Sequence, residues 1–278
     1  MCIRDRSHPS APAGARSAST VGPAGSPSAT HPDATVQDGP RRVHIQCFGG
    51  FRLHVEGVSI DLGALRPRSR SLLRLLALNT NCDMHRERLV DALWPGTDLT
   101  IGTRRLQVAV STVRQLFEQL GLSGPEVLSR RGDAYRLALP DGSTVDVRDF
   151  EQGLRAAAAC SARGDTAGSA AARTSALALY TGELLPEDGS AEYLVDDRDR
   201  LRLAAASAAA DLARDNLELG NPRHALAAAQ TSVQLDRYQD LAWKLLVALH
   251  EASGDSSAAA SARHEHAKVQ AELGVTVP

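Results

Sequence analysis

The period of the apolar residues changes twice between Val43 and Leu137, and that change constrains the fold more than any other feature of the chain. Val43, Ile45 and Cys47 alternate with Arg42, His44 and Gln46, and beyond Gly49-Gly50 the alternation resumes through Phe51, Leu53 and Val55. Glu56-Gly57 turns the chain into Val58-Ser59-Ile60-Asp61. A period of two belongs to half-buried strands, so three short strands in a small antiparallel sheet are predicted. Leu72, Leu73, Leu75, Leu76 and Leu78 then take helical spacing after Arg66-Pro67, and Leu89, Val90, Leu93 and Trp94 make a second helix that stops at Pro95. A third helix, capped by Asp98 or Thr100 and ended by Gly121, buries Leu106, Val110, Val113, Leu116 or Phe117, and Leu120 at three-to-four spacing. Period two returns in Val127–Arg131 and Ala134–Leu137 around Gly132-Asp133. Three strands, three helices and a hairpin are the element order of a winged helix-turn-helix.

Everything after Asp146 reads as helix. Asp146–Arg163, Thr166–Tyr180 and Ala191–Leu219 are long, alanine-rich and amphipathic. Gly220-Asn221 is matched 34 residues later by Gly254-Asp255, Leu212 by Leu246 and Ala225 by Ala259. Helix pairs at that period are the tetratricopeptide signature. Gly164-Asp165 has the look of a further turn but is out of step, 56 residues before Gly220. The expected fold class is mainly α with a small antiparallel β part. A winged-helix domain over residues 43–139 is followed by an all-α, tetratricopeptide-like repeat domain over 140–278. Residues 1–42 are expected to be a disordered tail, because Ser7–Pro40 is Ala, Pro, Ser, Gly or Thr at 26 of 34 positions and cannot bury enough apolar surface to order itself. Met1-Cys2-Ile3-Arg4-Asp5-Arg6 resembles a translated sequencing-adaptor end, and no function is assigned to it.

Charge divides the chain in the same place. Val43–Leu139 holds 13 Lys+Arg against 9 Asp+Glu, whereas Pro140–Pro278 holds 13 against 21. Only the first part suits a polyanion. No run of about 18 apolar residues and no secretory signal pattern is present, so a cytoplasmic protein without membrane contact is expected. Cys2, Cys47, Cys82 and Cys160 lie far apart and suggest neither zinc nor disulfides. No phosphate loop, nucleophile elbow or zinc helix occurs. His264-Glu265-His266 are neighbours on a helix and point in different directions, and Asp196-Asp197-Arg198-Asp199-Arg200 reads as a self-paired, solvated face. Neither an enzyme nor a cofactor is expected.

The third helix and the hairpin carry the binding reading. A major groove admits one α-helix, whose Arg side chains can read guanine and whose Gln side chains can read adenine. Opposite the buried stripe stand Arg104, Gln107, Val108, Ser111, Arg114 or Gln115, and Glu118. Arg130 and Arg131, at the hairpin tip, suit phosphates or a minor groove. The expected DNA-binding set is Arg104, Gln107, Ser111, Arg114, Gln115, Arg130 and Arg131, with Arg66 and Arg68 at the start of the first helix.

Four strings of residues resemble one family. They are Cys47-Phe48-Gly49-Gly50-Phe51-Arg52-Leu53, Arg68-Ser69-Arg70-Ser71-Leu72-Leu73, His85 to Pro95 and Leu106 to Ser111. Together they are similar to the SARP-type activators. Gly132 to Leu137, Val145 to Glu151, Leu177 to Leu185 and Ala271 to Val275 look like the junction, opening and end of the bacterial transcriptional activator domain of that family. The resemblance implies an OmpR-like winged helix on direct repeats of double-stranded promoter DNA, with the helical domain engaging RNA polymerase and its sigma factor. Direct repeats also admit a homodimer on DNA. Arg105 stands where many members carry asparagine, which leaves the base preference open. The alternatives are a tetratricopeptide-like scaffold that does not bind DNA and a ligand-sensing regulator.

Overall fold

A computed structural model describes residues 41–274, so the expected tail lies outside the described residues apart from Arg41 and Arg42. Strands β1 (Val43–Gln46), β2 (Arg52–Val55) and β3 (Val58–Ser59) form an antiparallel meander in which Val43 faces Val55 and Ile45 faces Leu53. Alternation puts Val43, Ile45, Leu53 and Val55 on one buried face. Helix α1 (Pro67–Leu78) begins with proline in its first turn, where the missing N–H costs nothing. A short β4 (Met84–His85), α2 (Arg86–Leu93), α3 (Leu99–Gln119) and a one-turn α4 (Gly124–Val127) lead into β5 (Leu128–Arg131) and β6 (Ala134–Leu137). The strand order of this second sheet is β4-β6-β5. β7 (Thr144–Val145) then runs back and pairs in parallel with β1, giving the first sheet the order β3-β2-β1-β7. Two-residue strands have no period to detect, and neither β4 nor β7 was legible in the sequence.

The helical part comprises α5 (Asp146–Ala162), α6 (Thr166–Leu179), α7 (Val195–Glu218), α8 (Pro222–Leu235), α9 (Asp240–Ala252) and α10 (Ser256–Glu272). Helices pack in sequential pairs, α5 on α6, α7 on α8 and α9 on α10. Each pair is joined by a glycine in the left-handed region, with φ of 73° at Gly164, 73° at Gly220 and 78° at Gly254, a backbone state any side chain would strain. The residue after each glycine precedes the next helix, and the Asp165 and Asp255 carboxylates accept the N–H groups of Gly168 and Ala258. Gly164-Asp165 is therefore a third turn of the same kind. Its offset comes in equal parts from the long connector Tyr180–Leu194, with two 3-10 turns that the sequence pattern had partly merged into the following helix, and from the greater length of α7 over α9.

One hydrophobic core runs from Val43 to Ala205 through both parts, and a second gathers Ala170, Leu212, Ala213, Ala228, Ala229, Leu246 and Ala262. The described residues accordingly pack as one compact unit. Phe48 sits at the centre of the first core, its ring 5.5 Å from Phe150 and 4.8 Å from Tyr180. Inside the helical repeats, the buried Arg173 guanidinium pairs with Asp215 and with Asp211. No helix among the described residues is long and apolar enough to cross a membrane.

Candidate nucleic-acid interface

Helix α3 owes its position to three local features. Asp98 caps it, its carboxylate accepting the N–H groups of Thr100 at 2.9 Å and Ile101 at 3.3 Å. Gly102 lets it lie against α2, since a Cβ built there would fall 2.3 Å from Val90 Cγ1. Leu106, Ala109, Val110, Val113, Leu116 and Phe117 bury one face completely or nearly so. The opposite face follows from helical geometry, and Arg104, Arg105, Gln107, Val108, Ser111, Gln115 and Glu118 are exposed on it. From Leu99 to Phe117 that helix contains no acidic residue, while it carries Arg104, Arg105 and Arg114.

The hairpin β5–β6 stands beside it. Arg130 Nε donates to the Gly132 carbonyl at 2.8 Å, which folds that side chain back along the turn. Asp133 holds the tip to the start of α2: its carbonyl accepts the Arg86 N–H and its carboxylate pairs with the Arg86 guanidinium at 2.9 Å. Arg131 pairs with Ala134 in the strand ladder, but its exposed side chain makes no hydrogen bond or ion pair among the described residues. Arg136 is committed elsewhere, in a two-pronged pair with Asp83 at 2.6 and 2.8 Å. That hydrogen bond holds the Asp83 carboxyl below the usual carboxylate range.

The predicted cations do not all meet on one face. Arg104, Gln107, Ser111 and Gln115 share the outward stripe of α3. Arg114 turns toward the hairpin instead, its Nε donating to the Leu128 carbonyl at 2.8 Å, so it braces α3 against β5. Arg66 is exposed immediately before α1. Arg68, one residue into α1, is exposed and lines a cleft with Arg88, Asp91, Asp196 and Asp197, apart from the α3 stripe. Arg105 and Val108 are exposed beside the expected set without having been counted in it.

Sequence reading located the boundary between the two parts but none of the contacts across it. The Asp146 carboxylate, at the start of α5, accepts the backbone N–H groups of Cys47 and Phe48 at 2.8 and 2.9 Å and also that of Val147. Burial pushes this carboxyl above the usual range, and the three N–H donors pull it back. Thr181 Oγ1 donates to the Phe48 carbonyl, the Gly49 N–H to the Glu183 carbonyl and the Leu185 N–H to the Cys47 carbonyl. Gly49 has a φ of 69°, and a Cβ there would meet Thr181 Oγ1 at 2.9 Å, so both backbone and space demand glycine. Asp188 accepts from Arg74 Nη1 at 2.7 Å, Ser71 Oγ at 3.1 Å and Tyr193 Oη at 3.1 Å. Arg198, expected in a self-paired surface run, donates instead to the Leu184, Leu185 and Gly189 carbonyls. The strings Cys47–Leu53 and Leu177–Leu185, which carried a resemblance but no chemistry, supply the two sides of this junction. Their paired glycines Gly49-Gly50 and their aromatics Phe48 and Tyr180, with no binding role of their own, were the available signal.

Two families match the chain. One described as "Bacterial transcriptional activator domain" covers residues 145–277, and one described as "Transcriptional regulatory protein, C terminal" covers residues 62–137. Transcriptional regulatory protein MoaR1 of Mycobacterium tuberculosis is 25% identical over 238 residues, spanning 84% of this chain and 75% of the relative. Transcriptional regulatory protein EmbR of Mycobacterium bovis is 28% identical over 130 residues, 45% of this chain and 32% of the relative. The solved structure of Mycobacterium tuberculosis EmbR in complex with a low-affinity phosphopeptide superposes with a TM-score of 0.75 at 21% identity. That match takes in 86% of this chain but only 62% of the EmbR chain, so the described fold corresponds to under two thirds of that protein.

Proposed function

We propose that this chain, which belongs to the SARP-type transcriptional regulators, is a cytoplasmic, sequence-specific activator that reads promoter DNA with α3 and grips the backbone with its hairpin. The observation that carries this reading is the exposed face of α3, basic, free of acid from Leu99 to Phe117 and furnished with Arg and Gln. Arg104, Gln107, Ser111 and Gln115 meet base edges in the major groove. Arg130 and Arg131 meet phosphates or the adjoining minor groove. Arg114 holds the two elements in fixed relation. Two copies on a direct repeat would each present one such unit. The acidic helical part faces RNA polymerase and its sigma factor rather than DNA.

Paired salt titrations on an operator and a scrambled duplex test the division of labour. Changing Arg104 to Ala costs about 1–3 kcal/mol on the operator and little on scrambled DNA. Changing Arg131 to Ala weakens both duplexes alike and flattens the salt slope by roughly one unit for a lost phosphate contact. Wild-type affinity that is the same for both duplexes and insensitive to salt would instead favour a scaffold without DNA binding.

A further inference from the structure

Val108 is 56% exposed in the middle of α3. A β-branched side chain there lowers helix propensity and adds nothing to the core, and what sets this valine apart from other exposed apolar residues is its place on the basic face of α3. It stands one turn beyond Arg104 and one turn before Ser111, with Arg105 beside it and Gln115 two turns on, all exposed. Ile101, two turns back on the same side, is 50% exposed. The setting is thus an apolar spot enclosed by cations and amides, with no acidic residue until Glu118. Such a surface complements a polyanion that itself carries an apolar feature. In the major groove that feature is the C5-methyl group of thymine.

Resting on the DNA-binding reading above, we propose that Val108 is a specificity-determining residue that reads a thymine methyl group. Four residues of helix rise separate it from Arg104, about 6 Å, or roughly two base-pair steps at 3.4 Å each. A half-site should therefore hold a guanine, read by Arg104, within about two steps of the thymine.

The test uses the full chain and duplexes selected by it from a random pool. Each thymine of the selected half-site is replaced singly by deoxyuridine, which keeps every hydrogen bond and loses only the methyl group. One position per half-site should weaken wild-type binding about fourfold, the equivalent of one buried methyl. Val108→Ala should bind the thymine and uracil duplexes at that position alike, while still preferring its guanine. Because the uracil arm uses unaltered protein, it is free of any folding effect of the substitution. A selected consensus with no uracil-sensitive position would overturn the role of Val108 and leave DNA reading standing, as would undiminished uracil sensitivity in Val108→Ala. Failure of the full chain to select any sequence would overturn both.

Discussion

Replacing Phe48 by Ala tests whether the two parts share one core. The side chain is fully buried two residues beyond β1, and it contacts Phe150 and Tyr180 from the helical part. Truncating a buried Phe to Ala costs about 3–5 kcal/mol through lost transfer energy and the cavity left behind. Phe48 belongs at the upper end, because its edge-on contact with Phe150 and tilted contact with Tyr180 are lost as well. For a unit of this size, that destabilisation lowers Tm by roughly 6–20 °C. The chain carries its own pair of reporters: Trp94 packs against the first core and Trp243 against the second. Retaining one tryptophan at a time, through Trp94→Phe or Trp243→Phe, lets fluorescence follow each part during thermal and urea unfolding. Helices α6 and α7 contribute residues to both cores, Ala170 and Ala176 from one, Leu201 and Leu212 from the other. Loss of the first core should therefore propagate, and both reporters should shift by the same amount in Phe48→Ala. A fall at Trp94 with Trp243 unchanged would refute the shared core and show that the parts unfold independently.

Other substitutions probe single contacts. Gly102→Ala should destabilise by about 1–3 kcal/mol through its clash with Val90, despite alanine's better helix propensity, and adding Val90→Ala should recover part of the loss in urea titrations. Asp188→Ala should cost about 3 kcal/mol, because it leaves the Arg74 guanidinium buried at the junction without its acid; equal stability by calorimetry would show that the guanidinium finds another partner. Asp146→Asn puts an amide N–H₂ where a backbone N–H donates, at a cost of about 1–3 kcal/mol. The same change alters the pH profile. With the folded-state pKa of Asp146 raised, the folded protein holds that proton more tightly than the unfolded chain. Stability from this carboxyl is therefore full at low pH and falls as pH rises from the ordinary carboxylate range through the folded value. Asp146→Asn should lack that falling limb when unfolding free energy is measured from pH 3 upward.

Much of this protein follows from local sequence alone. The period of two in Val43–Val55 and the three-to-four spacing in α1, α2 and α3 are properties of nearest neighbours, and each specified its element because one face had to leave water. The same holds for the glycine-punctuated helix pairs and for the outward stripe of α3, since burial of Leu106, Val110 and Val113 fixes where Arg104 and Ser111 must point. Tertiary structure alone decided what those elements do to one another. Two cations of like charge and similar exposure pattern in sequence, Arg104 and Arg114, part company because a carbonyl 14 residues on, that of Leu128, lies within reach of Arg114. Arg68 shares a cleft with carboxylates more than 100 residues away, Asp188, Asp196 and Asp197, a neighbourhood no local pattern could show. The contacts across the junction were invisible for the same reason: Asp146 meets Cys47 and Phe48 across 99 and 98 residues, with backbone N–H groups as its partners. A backbone donor has no residue identity, so no pattern of side chains along the sequence can announce it, whereas periodicity within one helix or strand is written in side chains only a turn apart.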